Sequence, residues 1–443
     1  MAEAEGAEEN SCAVCGNVAT TMCGKCKLEK YCGRDCQVQH WKTHKPFCRK
    51  SAAAATASKP TLPARTPLCG RGYYQWICAQ NGNLKKSGPQ YIEKPEVGLK
   101  NQENTCYLNA VLQCLVHTTL LRECLTQACP QPRPEEEWLA ELLQLFKEVD
   151  EARGSKRSVS ASRIAALITK NKEFARGQQA DAHEALMLML SRLLDECLSV
   201  GDGSGRALAD AEYATKEQLE RSSLVGHVFG MDLGQTVRCD WCSYESTTAR
   251  VEYCCCLNCT LGMSDPELRA LQAELQRGSS YRSNAQETSA PDTTLESLMR
   301  EYMKGEHIDG YKCEKCERSG CTRAAHVARR PNVLVAYIDR RQDAGLYGKV
   351  NRRVRFQQRL DLSPFTRSSD SDWAATSNLY SLYAIVVHRD VNRSTFFGHY
   401  VAYVRDKTSQ WYLLDDTRVE PVTWSAVQEQ HAYLLLYSAD HVL

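Results

Sequence analysis

Apolar residues recur at helical spacing through the middle of the chain and give way to strand-like runs toward its end. Residues 106–118 alternate apolar and polar positions in a helical rhythm, and residues 135–149 and 180–198 read as amphipathic helices. The last carries Leu186, Leu188, Leu190, Leu193 and Leu194 as its expected buried stripe. Past Val228 the pattern shortens to apolar, β-branched and aromatic runs beginning at Val237, Val333, Tyr383, Tyr400, Trp411 and Ala432, each about the length of a strand. Helices first and strands later predict an α+β fold with the two kinds segregated. The polar residues 261–291 read as a surface insertion.

The chain before residue 95 is organised differently. Residues 1–10 form a small acidic tail expected to be disordered, cysteines crowd residues 11–50, and residues 51–94 open with an Ala/Ser/Thr/Pro segment and read as a linker. A globular unit over residues 95–440 follows. A total of 443 residues exceeds the usual size of one domain, with 43% apolar and 25% charged residues, ordinary values for packed domains. The net charge of +1 gives no support for nucleic-acid or acidic-membrane binding. No secretory signal is visible, and no apolar run approaches the roughly 18–20 residues of a membrane span. An intracellular protein, cytoplasmic or nuclear, is expected. Its 23 cysteines then point to metal sites and reactive thiols rather than disulfides.

Cys12-x2-Cys15, Cys23-x2-Cys26, Cys32-x3-Cys36 and His44-x3-Cys48 offer seven thiols and one imidazole, enough for two four-coordinate zinc ions. His40 is a competing ligand. A segment this short cannot bury a sufficient core, so metal binding would supply much of its folding free energy. With Tyr31-Cys32, Cys36-Gln37 and Trp41-x2-His44 the string resembles the MYND finger. The resemblance implies a cross-braced pairing: Cys12, Cys15, Cys32 and Cys36 on one zinc, Cys23, Cys26, His44 and Cys48 on the other. It also implies a module for contacts with a protein partner, without catalysis.

The stretch Gly98-Leu-Lys-Asn101-Gln-Glu-Asn104-Thr-Cys106-Tyr-Leu-Asn109 puts a cysteine where a polar loop enters a helix. A thiol there feels the positive end of the helix dipole, which favours the nucleophilic thiolate. Alone this means little, because a free cysteine is more often a small hydrophobe. Far along the chain, Gly398-His399-Tyr400-Val-Ala-Tyr-Val precedes Trp411-Tyr-Leu-Leu-Asp415-Asp416. Two antiparallel strands would bring Asp415 against the His399 ring and fix its tautomer for work as a base on Cys106.

Together these segments resemble the cysteine and histidine boxes of the ubiquitin-specific protease family. Gln179-Ala-Asp181-Ala-His183-Glu184 resembles an intervening family motif, and Cys239-x2-Cys242 with Cys313-x2-Cys316 resembles its "fingers" zinc site. The likeness runs over about residues 97–437 and, with the finger, is greatest to a MYND-bearing subgroup from plants. It implies a papain-like fold with helical thumb, β-rich palm and zinc-binding fingers. It further implies Cys106 as nucleophile, His399 as base, Asp415 as its orienter with Asp416 beside it, and Asn101 as oxyanion donor. Asp181 and Glu184 would hold the two arginines of ubiquitin's C-terminal tail, with Gly398 and Tyr400 lining the same narrow cleft. The implied cofactors are two zinc ions in the finger and one in the fingers subdomain; the implied partners are ubiquitin or ubiquitinated proteins. Cys254, Cys255, Cys256, Cys259 and Cys321 stay open as further ligands or packing residues.

Three positions depart from the family pattern. Glu103 stands where glycine is usual, so it is strained if that position needs a positive φ, and otherwise adds a negative charge near the thiolate. Ala185 replaces a phenylalanine. Ile338-Asp339-Arg340-Arg341 replaces a strand ending in Lys-Arg-Phe. A deubiquitinating hydrolase is the expected function, against a catalytically weak ubiquitin-binding scaffold or a zinc-dependent transcription cofactor.

Overall fold

The computed structural model describes residues 12–15, 17–24, 29–45, 68–79, 89–155, 157–199, 216–277, 291–341, 349–350, 352–367, 378–390 and 398–441. The acidic tail, Cys26, Cys48 and residues 278–290 of the expected insertion lie outside them.

The cysteine-rich segment contains β1 (Thr21–Met22), β2 (Lys30–Tyr31) and α1 (Arg34–His44). A helical half follows: α2 (Gly70–Ala79), α3 (Cys106–Val116), α4 (Thr119–Ala128), α5 (Glu137–Ala152), α6 (Ser162–Ile168), α7 (Ala182–Ser199), α8 (Lys216–Arg221) and α9 (Leu224–Phe229). Strands then dominate: β3 (Met231–Cys239), β4 (Glu245–Glu252), β5 (Cys255–Asn258), α10 (Asp265–Arg277), β6 (Thr293–Thr294), α11 (Leu295–Met303), β7 (Glu306–Lys312), β8 (Ser319–Arg329) and β9 (Val333–Asp339). Last come β10 (Val354–Arg355), β11 (Arg359–Asp361), β12 (Leu379–Asp390), β13 (Gly398–Arg405), β14 (Trp411–Asp415), β15 (Arg418–Val422), α12 (Trp424–Gln428) and β16 (Ala432–Ala439). The segregation expected of an α+β chain is present. Among the described residues, no helix is long and apolar enough to cross a membrane.

The main sheet runs β15-β14-β13-β12-β16-β9-β5, with β11 on β12, and β3, β4, β7 and β8 form a separate antiparallel sheet. Strand side chains alternate faces, and the main sheet is buried on both. Val333, Val335 and Tyr337 of β9 join the core shared with the helices, while Leu334, Ala336 and Ile338 join a second core on the other side. This is why its strands read as continuous apolar runs rather than alternating ones.

Every residue of α3 is buried, although its sequence suggested one polar face. The polar positions point at backbone and side chains instead of water: Gln113 donates to the Val97 carbonyl at 2.9 Å and Asn109 to Asp416 at 2.8 Å. Burial of such groups is tolerated when they are hydrogen-bonded.

Two boundaries need correction. The linker expected over residues 51–94 ends early, because Leu68, Tyr73, Trp76 and Ile92 are buried in the same core as α3. The aromatic side chains of α2 outweigh the flexible composition before it. Residues 265–277 of the expected insertion form α10, whose Leu271 is buried in the second core.

Candidate active site

The loop before Cys106 is a tight turn held by its own side chains. Asn101 Oδ1 accepts from the Thr105 amide at 3.0 Å, and Thr105 Oγ1 accepts from the Gln102 amide at 2.9 Å. Glu103 (φ 53°) and Asn104 (φ 70°) both lie in the left-handed region, which asparagine tolerates better than glutamate. The strain expected at Glu103 is therefore present; its carboxylate pairs with Arg176 at 3.0 Å. The turn delivers Cys106, 3% exposed, as the first residue of α3.

His399 enters from β13, between β12 and β14. Its Nε2 lies 2.6 Å from Asp415 Oδ1 at the end of β14, and the Cys106 thiol lies beside the ring. The neighbouring Cys106 thiol, together with Asp415, pushes the imidazole up to about 9 against the opposing effect of burial. The other Asp415 oxygen faces Arg389 of β12, whose Nη1 is 3.5 Å away and whose Nη2 donates to the Tyr403 hydroxyl at 3.0 Å. The expected trio is brought together.

Asp416 stands beside Asp415 as expected and makes further contacts of its own. It turns the chain after β14 at φ 50°, and its two oxygens accept from Asn101 Nδ2 and Asn109 Nδ2, each at 2.8 Å. Its carbonyl accepts from the Leu99 amide at 2.8 Å. The approach is so close that a Cβ on Gly98 would lie 2.5 Å from the Thr417 carbonyl, so only glycine fits there. Asp416 thus holds the oxyanion candidate, while one of its carboxylate oxygens, a His399 ring nitrogen and an Asp415 oxygen all lie within 4.8 Å of one another.

The residues expected to meet a substrate tail are partly engaged already. Asp181 caps α7, accepting from the amides of His183 (2.7 Å) and Glu184 (3.1 Å), and its other oxygen accepts from the Tyr433 hydroxyl. Glu184 lies 3.3 Å from Arg341, and burial, with Asp181 nearby, holds its carboxyl above the ordinary range. Gly398 is clamped by Gln179, which donates to its carbonyl at 2.9 Å and accepts from its amide at 3.0 Å. Tyr400 is a packing residue, a correction to its expected place in the cleft: it is buried, stacked on His388 with ring centroids 4.3 Å apart. The parts played by Gln179, Asn109, Arg389 and Arg341 were not read from sequence. Gln179 and Asn109 stand inside the motifs, but their partners lie hundreds of positions away.

Both expected cysteine clusters converge. Cys12, Cys15, Cys32 and Cys36 have sulfurs within 4.8 Å of one another, as do Cys239, Cys242, Cys313 and Cys316. Sulfur separations of 3.4 Å (Cys15–Cys32), 3.5 Å (Cys32–Cys36) and 3.6 Å (Cys239–Cys316, Cys242–Cys313) are far from the ~2.05 Å of a disulfide and suit ligands around one ion. His44 Nε2 lies 3.3 Å from Cys23, whereas His40 Nδ1 meets the Tyr31 hydroxyl at 3.1 Å, which favours His44 as the ligand. Cys321 is buried beside the second cluster without joining it.

A thiol at a helix start, a histidine against it and a carboxylate behind the histidine make the site of a thiol hydrolase. The signature described as ubiquitin carboxyl-terminal hydrolase matches residues 97–437, and that of the MYND finger matches residues 12–48. The chain belongs to the ubiquitin carboxyl-terminal hydrolase family. It is 27% identical to ubiquitin carboxyl-terminal hydrolase 19 of Arabidopsis thaliana, over 96% of this chain and 62% of that protein. It is 31% identical to hydrolase 15 of the same plant, over 77% of this chain and 33% of that protein, so it spans less than two thirds of either relative. Among solved structures, the SAGA DUB module bound to monoubiquitin superposes with a TM-score of 0.59 at 18% identity, over 99% of this chain and 91% of that one. A second SAGA module structure, from yeast, gives 0.58 at 19%, over 78% and 69%.

Proposed function

We propose that this chain hydrolyses the peptide or isopeptide bond at the C-terminus of ubiquitin through a thioester on Cys106. The observation that carries the reading is the contact of His399 Nε2 with Asp415 at 2.6 Å, with the Cys106 thiol beside the same ring. The Cys106 thiolate attacks the terminal carbonyl of ubiquitin, and the oxyanion is met by a donor from Asn101 and by the Cys106 amide. His399 gives its proton to the leaving amine, leaving ubiquitin as a thioester. Water then attacks, with His399 taking the proton, and ubiquitin leaves with a free carboxylate.

Asp181 and Glu184 are the proposed holders of the arginines of the ubiquitin tail, since carboxylates accept charge-assisted bonds from guanidinium. The proposed metal content is two zinc ions in the MYND finger and one at Cys239, Cys242, Cys313 and Cys316. They would hold their loops in place and supply no step of hydrolysis; the finger would recruit a protein partner. Cysteine clusters at zinc-ligand rather than disulfide spacing support residence in a reducing compartment, cytoplasm or nucleus.

The test is turnover of ubiquitin carrying a C-terminal fluorophore by the full chain. Wild type cleaves it, and Cys106→Ala abolishes cleavage while retaining ubiquitin binding. Turnover that survives in Cys106→Ala removes the nucleophile assignment; a wild type that binds ubiquitin but never cleaves leaves the scaffold reading.

A further inference from the structure

Beyond the triad and the two cysteine clusters, a third set of ligating side chains converges at the edge of the main sheet. Cys254, just before β5, is buried in the core shared with the helices, Cys255 faces the other core, and alternation returns Cys256 to the helix-facing side. Facing Cys254 and Cys256 is His183, in the first turn of α7. Its Nε2 lies 3.7 Å from Cys256 Sγ, and its ligand atom and the two sulfurs all fall within 4.8 Å of one another. Two ligands of a tetrahedral zinc-like ion, with bonds of about 2.1 and 2.3 Å, stand roughly 3.6 Å apart. The same spacing recurs in the two four-thiol clusters, at 3.4–3.6 Å.

The ring is already aimed. His183 stacks flat on Tyr337, centroids 3.9 Å apart and planes 6° off parallel, so its edge presents Nε2 to the sulfurs. Its Nδ1 is buried without a hydrogen-bond partner, so the ring is held by stacking on Tyr337 and by the Nε2 contact with Cys256. Cys254 is buried while Cys256 is exposed, which leaves the fourth side of the set open to solvent.

We propose that His183, Cys254 and Cys256 form a further metal site of this chain, taking one thiophilic divalent ion of the zinc class with water as fourth ligand. Two thiolates and a neutral imidazole balance the charge of such an ion, and an open fourth position makes it exchangeable, unlike a closed structural site. Binding releases the thiol protons and ties the first turn of α7 to β5. The site stands on its own geometry, whatever the chain's reaction.

The experiment titrates the full chain with Co²⁺ after saturation with zinc and removal of loose metal by a mild chelator. Cobalt binds less tightly than zinc and leaves filled zinc sites alone. Wild type should take up one equivalent with the visible and near-ultraviolet bands of tetrahedral thiolate-bound cobalt, and added zinc should erase them. Cys256→Ser and His183→Ala should lose those bands while keeping wild-type zinc content and circular dichroism. Absence of the bands in wild type, or bands of equal strength in Cys256→Ser, overturns the proposal. If both variants unfold, a melting temperature of wild type that does not rise with cobalt overturns it as well.

Discussion

Asn101 donates its side-chain amide to Asp416 at 2.8 Å, joining the loop before the nucleophile to the turn after the histidine-bearing hairpin across 315 positions of chain. The contact holds the side-chain amide of the residue proposed as oxyanion donor. Asp416→Ala should therefore lower kcat by about 10²–10³, the usual cost of a lost oxyanion donor. The double variant with Asn101→Ala should be no slower than the worse single one, because both remove the same donor. Additive losses in the steady-state rates would show that Asp416 acts elsewhere.

Asp415→Asn should change the pH profile as well as the rate. With Cys106 and Asp415 pushing His399 up to about 9, the imidazolium persists through neutral pH and the alkaline limb of kcat/KM falls near that value. Loss of the carboxylate lowers the imidazole toward its ordinary value of about 6.5, so the limb moves to lower pH while the rate drops by about 10² or more. The stability linked to His399 follows the same sign: it is fully present below about 6.5 and lost as pH rises through about 9. A pH–rate profile of the variant with an unmoved alkaline limb would detach His399 from it.

Arg341 occupies the carboxylate proposed for the ubiquitin tail, 3.3 Å from Glu184 with both side chains about half exposed. An exposed pair is worth up to ~1 kcal/mol, so Arg341→Ala should lower KM by up to about fivefold with kcat unchanged. A raised KM would make Arg341 a helper of binding rather than a competitor.

Glu103 carries a positive φ of 53° in the loop that aims Cys106. Glu103→Gly relieves a left-handed strain of about 1–3 kcal/mol and gives back about 0.5–1 kcal/mol in chain entropy. The variant should thus be more stable by about 1 kcal/mol in urea titration, and its hydrolysis at least as fast. Lower stability would mean that the ion pair with Arg176 outweighs the strain.

The order of helices and strands, the triad and the cysteine clusters were legible because each is written in local spacing: helical periodicity, apolar runs, paired cysteines before metal-sized turns. What was not legible depends on partners distant in sequence. Tyr400 sits beside the histidine in sequence, yet β-strand alternation turns its ring inward against His388. Asn109 looked like one polar face of a helix and is instead a buried donor to Asp416. The segment at Tyr73 and Trp76 followed a flexible composition and was assigned to it, although its aromatic rings seek the core.

The strand order carries a consequence for synthesis. β16 lies inside the main sheet between β12 and β9. Until residues 432–439 have left the ribosome, those two strands have no partner between them, and the histidine-bearing half of the sheet cannot join the half that faces α7. β9 and β5 therefore join the histidine-bearing strands only after every other described strand of the main sheet has been made.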